Sequence, residues 1–152
     1  EQSLASFNRN LGAYLRYDIH ASDNSLYNTP PVFAIWLVGK VIRWVRDGGG
    51  LDVIEQRSRA KAALLYELID ASEGFYSSPI ERESRSLMNV VFTLASDELT
   101  DLFLEGAANA GLVGLKGHRS VGGVRASLYN ALPIEGAEAL AAWMGEFRAA
   151  RA

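Results

Sequence analysis

From Val124 to Tyr129 the chain alternates in character. Val124, Ala126 and Leu128 fall on one face of an extended strand, and Arg125, Ser127 and Tyr129 fall on the other. Such a strand has one face to bury and one to leave wet. It asks for a small sheet with helices over its apolar side. Immediately before it stands Gly117-His118-Arg119-Ser120-Val121-Gly122-Gly123, so a histidine and two arginines lie within eight positions, separated by paired glycines. Arg125 then projects from a rigid element, while His118 and Arg119 come from a glycine-bounded loop. A guanidinium fork suits carboxylate and phosphate, and two of them with a histidine can hold one doubly acidic small molecule. Surface charges beside a flexible turn fit the same spacing, because charged residues next to glycines are common in exposed loops.

The remaining elements follow from period and punctuation. Leu15 to His20 alternates and reads as a short strand. Ala21 to Asn24 is turn-like. Tyr27-Asn28-Thr29-Pro30-Pro31 forces an extended entry into a helix from about Val32 to Asp47, with Asn28 or Thr29 as a candidate cap. The first half of that helix is apolar all round and is expected to be buried. Gly48-Gly49-Gly50 stops it. A second long helix, about Leu51 to Asp70, carries its stripe on Leu51, Ile54, Leu64, Leu65, Leu68 and Ile69, with Arg57, Arg59 and Lys61 in a solvated middle. Leu87 to Leu94 is a β-favouring run. Ser96 caps a third helix with Leu99, Leu102, Phe103 and Ala107 inside. Leu112 to Lys116 reads as a short strand. Pro133 opens a last helix whose Leu140, Trp143, Met144 and Phe147 face inward. The expected fold is α+β: a small, largely antiparallel sheet covered by helices.

Composition narrows the function. Hydrophobic residues make up 49% of the 152 and charged residues 22%, which is a globular balance. A net charge of −3 argues against a nucleic-acid-binding surface. The absence of cysteine removes disulfides, thiol catalysis and thiolate metal sites, and the two histidines, His20 and His118, lie too far apart in sequence to suggest a metal centre. The apolar stretch from Pro31 to Gly39 ends at Lys40, well short of the roughly 20 residues of a membrane span. No dinucleotide-binding glycine motif, P-loop, zinc-protease motif or serine elbow occurs. Of three lysines, Lys40 and Lys61 read as solvated helix residues, and Lys116 adjoins the arginine loop as a further anion ligand. The residues alone describe an anion-binding α+β domain without catalytic machinery of its own.

Taken together, Tyr27-Asn28-Thr29-Pro30-Pro31, Met88-Asn89-Val90 and Gly117 to Ser127 resemble the phosphoserine aminotransferase family, among the class V, fold-type I enzymes that use pyridoxal phosphate. Lys61 to Tyr66 and Leu112 to Lys116 are similar as well, so the resemblance runs from about Tyr17 to Phe147. It covers only the C-terminal part of that family's chain and implies its small domain: residues 1–30 as an arm from a missing larger domain, residues 31–152 as the small domain itself. The Schiff-base lysine, the aromatic that stacks on the cofactor ring and the aspartate for the pyridine nitrogen belong to the missing part, so the fragment alone is expected to be inactive. The resemblance further implies a cytoplasmic homodimer in which Asn28 and Thr29 reach the phosphate of the neighbour's cofactor. It gives Arg125 the substrate α-carboxylate, and His118 and Arg119 the substrate phosphate. The whole enzyme is then expected to move an amino group between glutamate and 3-phosphohydroxypyruvate, giving O-phosphoserine and 2-oxoglutarate. The competing expectation is a stand-alone, non-catalytic anion-binding or interaction module.

Overall fold

The computed structural model describes residues 10–151. The first nine residues of the expected arm lie outside that range, as does residue 152. The chain divides into two compact units, Glu1–Asp47 and Gly48–Ala152.

In the first unit a 3-10 turn at Ala13–Leu15 leads into helix α1, Tyr17–Ser22, and then helix α2, Val32–Asp47. The strand expected at Leu15 to His20 is therefore a helix. No neighbouring strand takes up its backbone groups among the described residues, and they close locally instead, with Asp23 N–H donating to the Ile19 carbonyl. The Arg16 guanidinium pairs with the Asp18 carboxylate, whose pKa that hydrogen bond holds below the ordinary range. Helix α2 spans the residues expected of it, but none of them is buried: Phe33, Ile35, Trp36, Val38 and Ile42 are all more than half exposed. Its apolar first half has no cover among the described residues.

The second unit holds helix α3 (Gly50–Asp70), strand β1 (Asn89–Phe92), helix α4 (Asp97–Asn109), strand β2 (Val124–Ser127) and helix α5 (Ile134–Ala149). The strands pair antiparallel, with Asn89 opposite Ser127 and Val91 opposite Arg125. Single bridges extend the pair, Ser77 with Thr93 and Lys116 with Val124. That last bridge is all that remains of the strand expected at Leu112 to Lys116, a five-residue stretch interrupted by Gly114.

The alternation of the strands sorts as the sequence asks. Val90, Phe92, Val124, Ala126 and Leu128 are buried against the helices, and the opposite face carries Asn89, Val91, Arg125 and Ser127. Tyr76, Phe92, Phe103 and Phe147 meet edge to face at the centre of the core, and the Tyr76 hydroxyl donates to the Met144 carbonyl at 2.8 Å. Each buried aromatic contributes roughly 1.5–3 kcal/mol of transfer free energy. Ser96 caps α4 as expected, its hydroxyl accepting from Leu99 N–H. On α4 the buried positions are Thr100, Phe103 and Ala107. Leu102 is half exposed, because the helix turns its face about Phe103.

One correction on α3 matters more. Lys61 is not solvated: it is 2% exposed, and its ammonium donates to the carbonyls of Leu128, Tyr129 and Leu132 at 2.8, 2.8 and 2.9 Å. The chain leaving β2 is thereby tied to α3. Burial pushes the Lys61 pKa down, while three carbonyl dipoles occupy all three donors of the charged form.

Candidate functional site

The glycine loop closes on itself before delivering its charges. Gly117 N–H donates to Gly123 O at 2.9 Å, and Val121 and Gly122 N–H both donate to the His118 carbonyl. Gly117 has to be glycine for reasons of space, since a Cβ there would lie 2.0 Å from Gly122 O. At Gly123 the demand is double: φ is +68°, and a Cβ would stand 2.8 Å from Phe92 O, across from β1.

Within the loop, His118 Nδ1 lies 2.7 Å from Ser120 Oγ and 3.3 Å from Ser120 N. A backbone N–H can only donate, so Nδ1 is the acceptor and the neutral ring carries its proton on Nε2. That leaves Nε2–H outward as a donor on an exposed side chain. Arg119 is exposed and makes no ion pair or hydrogen bond among the described residues.

Arg125 is held more firmly. Its backbone N–H donates to Leu115 O at 2.7 Å, and it faces Val91 across the strand pair. Its Nε is buried and has no hydrogen-bond partner among the described residues. A buried, unpartnered guanidinium donor is costly unless something accepts from it, and a carboxylate is the acceptor that its fork fits best.

Two cavities meet at this loop. The first, about 250 Å³, has walls of Pro79, Ile80, Val91 and Val121 and takes in His118 and Arg125. The second, about 270 Å³, is bounded by charged side chains, among them Asp97, Asp101, Lys116 and Arg119, together with His118. His118 thus borders both, whereas Arg125 and Arg119 border one each. Lys116, read from the sequence as a further anion ligand, lies beside the second. Asp97 and Asp101 on α4 are not among the site residues expected from the sequence; their spacing of four residues places both on one helix face.

Asn28 and Thr29 belong to the first unit. Both are exposed, and neither side chain caps α2 or makes any other hydrogen bond among the described residues. Val32 N–H and Ile35 N–H are satisfied by the carbonyls of Pro30 and Pro31. An amide and a hydroxyl with unused donors fit the oxygens of a phosphate, including that of a pyridoxal cofactor.

Residues 12–140 match the family model for class-V aminotransferases. Among curated proteins the chain is similar to the phosphoserine aminotransferase of Shouchella clausii (strain KSM-K16), 56% identical over 138 residues, covering 91% of this chain and 38% of that protein. It is also similar to that of Niallia circulans, 48% identical over 151 residues, covering 99% and 42%. Among solved structures, phosphoserine aminotransferase from Bacillus circulans subsp. alkalophilus superposes with a TM-score of 0.87 at 48% identity, over 100% of this chain and 42% of that one. Phosphoserine aminotransferase from Trichomonas vaginalis, solved with pyridoxal phosphate bound, gives 0.76 at 34% identity, over 91% and 39%. The chain spans about two-fifths of the length of the relatives that it matches.

Proposed function

The chain belongs to the class-V aminotransferases, and on that footing we propose that it is the C-terminal part of a phosphoserine aminotransferase. The full-length enzyme moves an amino group between glutamate and 3-phosphohydroxypyruvate, giving O-phosphoserine and 2-oxoglutarate for serine biosynthesis. In this reading residues 1–30 form the arm from the larger domain and residues 31–152 the small domain. The Schiff-base lysine lies on the part of the enzyme outside this chain, so the chain alone is inactive. The enzyme works as a cytoplasmic homodimer.

When bound, pyridoxal phosphate supplies the electron sink through which the amino group changes hands. The residues of this chain bind and orient. Asn28 and Thr29 donate to the cofactor phosphate. Arg125 holds the α-carboxylate that both amino acids share, fixing the reacting carbon by a two-point contact. His118, through Nε2–H, and Arg119 take the second anionic group, which is what favours a phosphorylated substrate. The single observation that carries this reading is the Arg125 guanidinium, with its buried and unpartnered Nε on a rigid strand beside the His118 loop.

The test is amino transfer from O-phosphoserine to 2-oxoglutarate by the full-length protein, followed as glutamate formed. Arg125→Gln is expected to lower kcat/KM for both amino acids by about a hundredfold or more, the scale of a lost charge-assisted clamp. An active full-length enzyme indifferent to that substitution contradicts the assignment of Arg125.

A further inference from the structure

His20 does not enter the reading above, yet its surroundings tie it to the segment that does. Its Nε2 lies 2.9 Å from the Tyr14 carbonyl, so that nitrogen carries the proton and donates. The ring stands edge-on between two tyrosines, with centroids 6.1 Å from Tyr14 and 5.8 Å from Tyr27 and interplanar angles of 87° and 90°. One imidazole therefore joins the 3-10 turn, helix α1 and the extended segment that enters α2.

The backbone bends to bring this about. Asn24 and Ser25 both adopt positive φ, 52° and 64°, a conformation that side chains other than glycine rarely take. The bend is secured by Ser25 N–H donating to His20 O at 2.7 Å and by Leu26 N–H donating to Asp23 O at 2.9 Å. Tyr27 is thus turned back against His20, and Asn28 and Thr29 follow it directly. Pro30 and Pro31 fix the chain on the other side. The His20 ring is thus a side-chain anchor directly against the residue that precedes the pair.

We infer that His20 is a positioning residue: through the Tyr27 ring it holds Asn28 and Thr29 where their amide and hydroxyl meet the cofactor phosphate. The inference rests on the proposed role of that pair.

The experiment compares two ligands of the full-length protein, pyridoxal phosphate and pyridoxal, the second lacking only the phosphate group. Affinity is read from the absorbance of the bound ring, independently of turnover. Asn28→Ala and Thr29→Ala set the scale, each weakening pyridoxal phosphate by about tenfold while leaving pyridoxal within about twofold. His20→Ala is expected to reproduce that selective loss, and combined with Thr29→Ala to add less than the sum of the two, as coupled groups do. Tyr27→Leu, which removes the ring from the other side, gives the same selective loss and answers the question if His20→Ala does not fold. Tyr27→Phe keeps the ring and restores wild-type affinity. Equal weakening of both ligands by His20→Ala and Tyr27→Leu, or no change in either, overturns the inference. If Asn28→Ala and Thr29→Ala are themselves unselective, the cofactor reading of the pair falls, and the role of His20 falls with it.

Discussion

At the scale of single residues, the energetics turn on Lys61. Three carbonyl oxygens just after β2 accept from its ammonium, and an apolar replacement of similar length removes that donor from all three, leaving Tyr129 O with Leu132 N–H alone. Lys61→Met is expected to destabilise by roughly 2–3 kcal/mol, the cost of stranding buried acceptors. Thermal denaturation reads this as a fall in Tm of roughly 5–10 °C. A Tm within about a degree of wild type contradicts the anchoring role. The sequence contained the signal for this burial. Ile54, Ser58, Lys61, Leu65 and Ile69 recur at intervals of four, three, four and four, and all five are buried. The period placed Lys61 inward. Residue type alone, in a chain segment holding Arg57 and Arg59, suggested water, and what the ammonium binds lies 67 to 71 residues away where no local pattern reaches.

At the scale of elements, the glycine loop is the part whose shape depends most on single atoms. Gly117→Ala sets a Cβ against Gly122 O and forces the loop open. The expected result is a loss of about tenfold or more in affinity for a phosphorylated ligand with little change in Tm, because the loop is exposed. Isothermal titration with O-phosphoserine and a melting curve on the same sample check both parts. Strands and helices of this size were legible because their patterns are local: the faces of β2, the cap at Ser96 and the span of α2 follow from period and punctuation. Leu15 to His20 shows where that fails. Six alternating residues satisfy a strand template, but a strand needs a partner, and hydrogen bonding to itself as a helix costs the segment nothing further. The candidate site was half legible. His118, Arg119 and Arg125 stand out by type and spacing. That Arg119 and Arg125 border different cavities depends on how the loop folds between α4 and the sheet.

At the scale of the whole molecule, two features frame the account. The first is electrostatic. Arg85 donates to both oxygens of Asp70 at 2.9 and 2.7 Å, and Arg82 adds a third contact at 2.9 Å. The Arg85 hydrogen bonds hold the Asp70 pKa below the ordinary carboxylate range. A depressed folded-state pKa means that the stabilisation is complete above the unfolded value, about 4, and is lost as pH falls through the folded one. Asp70→Asn is therefore expected to cost roughly 1 kcal/mol at neutral pH, given the partial exposure of the pair. The gap from wild type closes as the pH drops below about 4. Urea unfolding at pH 7 and pH 3 measures it, and a gap that stays constant contradicts the assignment. The second feature is the uncovered apolar surface of α2. None of its sixteen residues is buried, which fits a chain that spans two-fifths of the relatives it matches. The sequence reading placed this helix in a core; the described residues do not supply that core.

The most direct test of the central claim, that the glycine loop selects a phosphorylated amino acid beside the Arg125 clamp, is a spectral titration of the full-length, pyridoxal-phosphate-loaded protein. O-phosphoserine and glutamate are titrated separately into wild type and into His118→Ala/Arg119→Gln. The account predicts that the double variant loses affinity for O-phosphoserine by about a hundredfold, as two charge-assisted contacts require, while glutamate changes several-fold less. Equal losses for both amino acids, or an unchanged O-phosphoserine titration, contradict it.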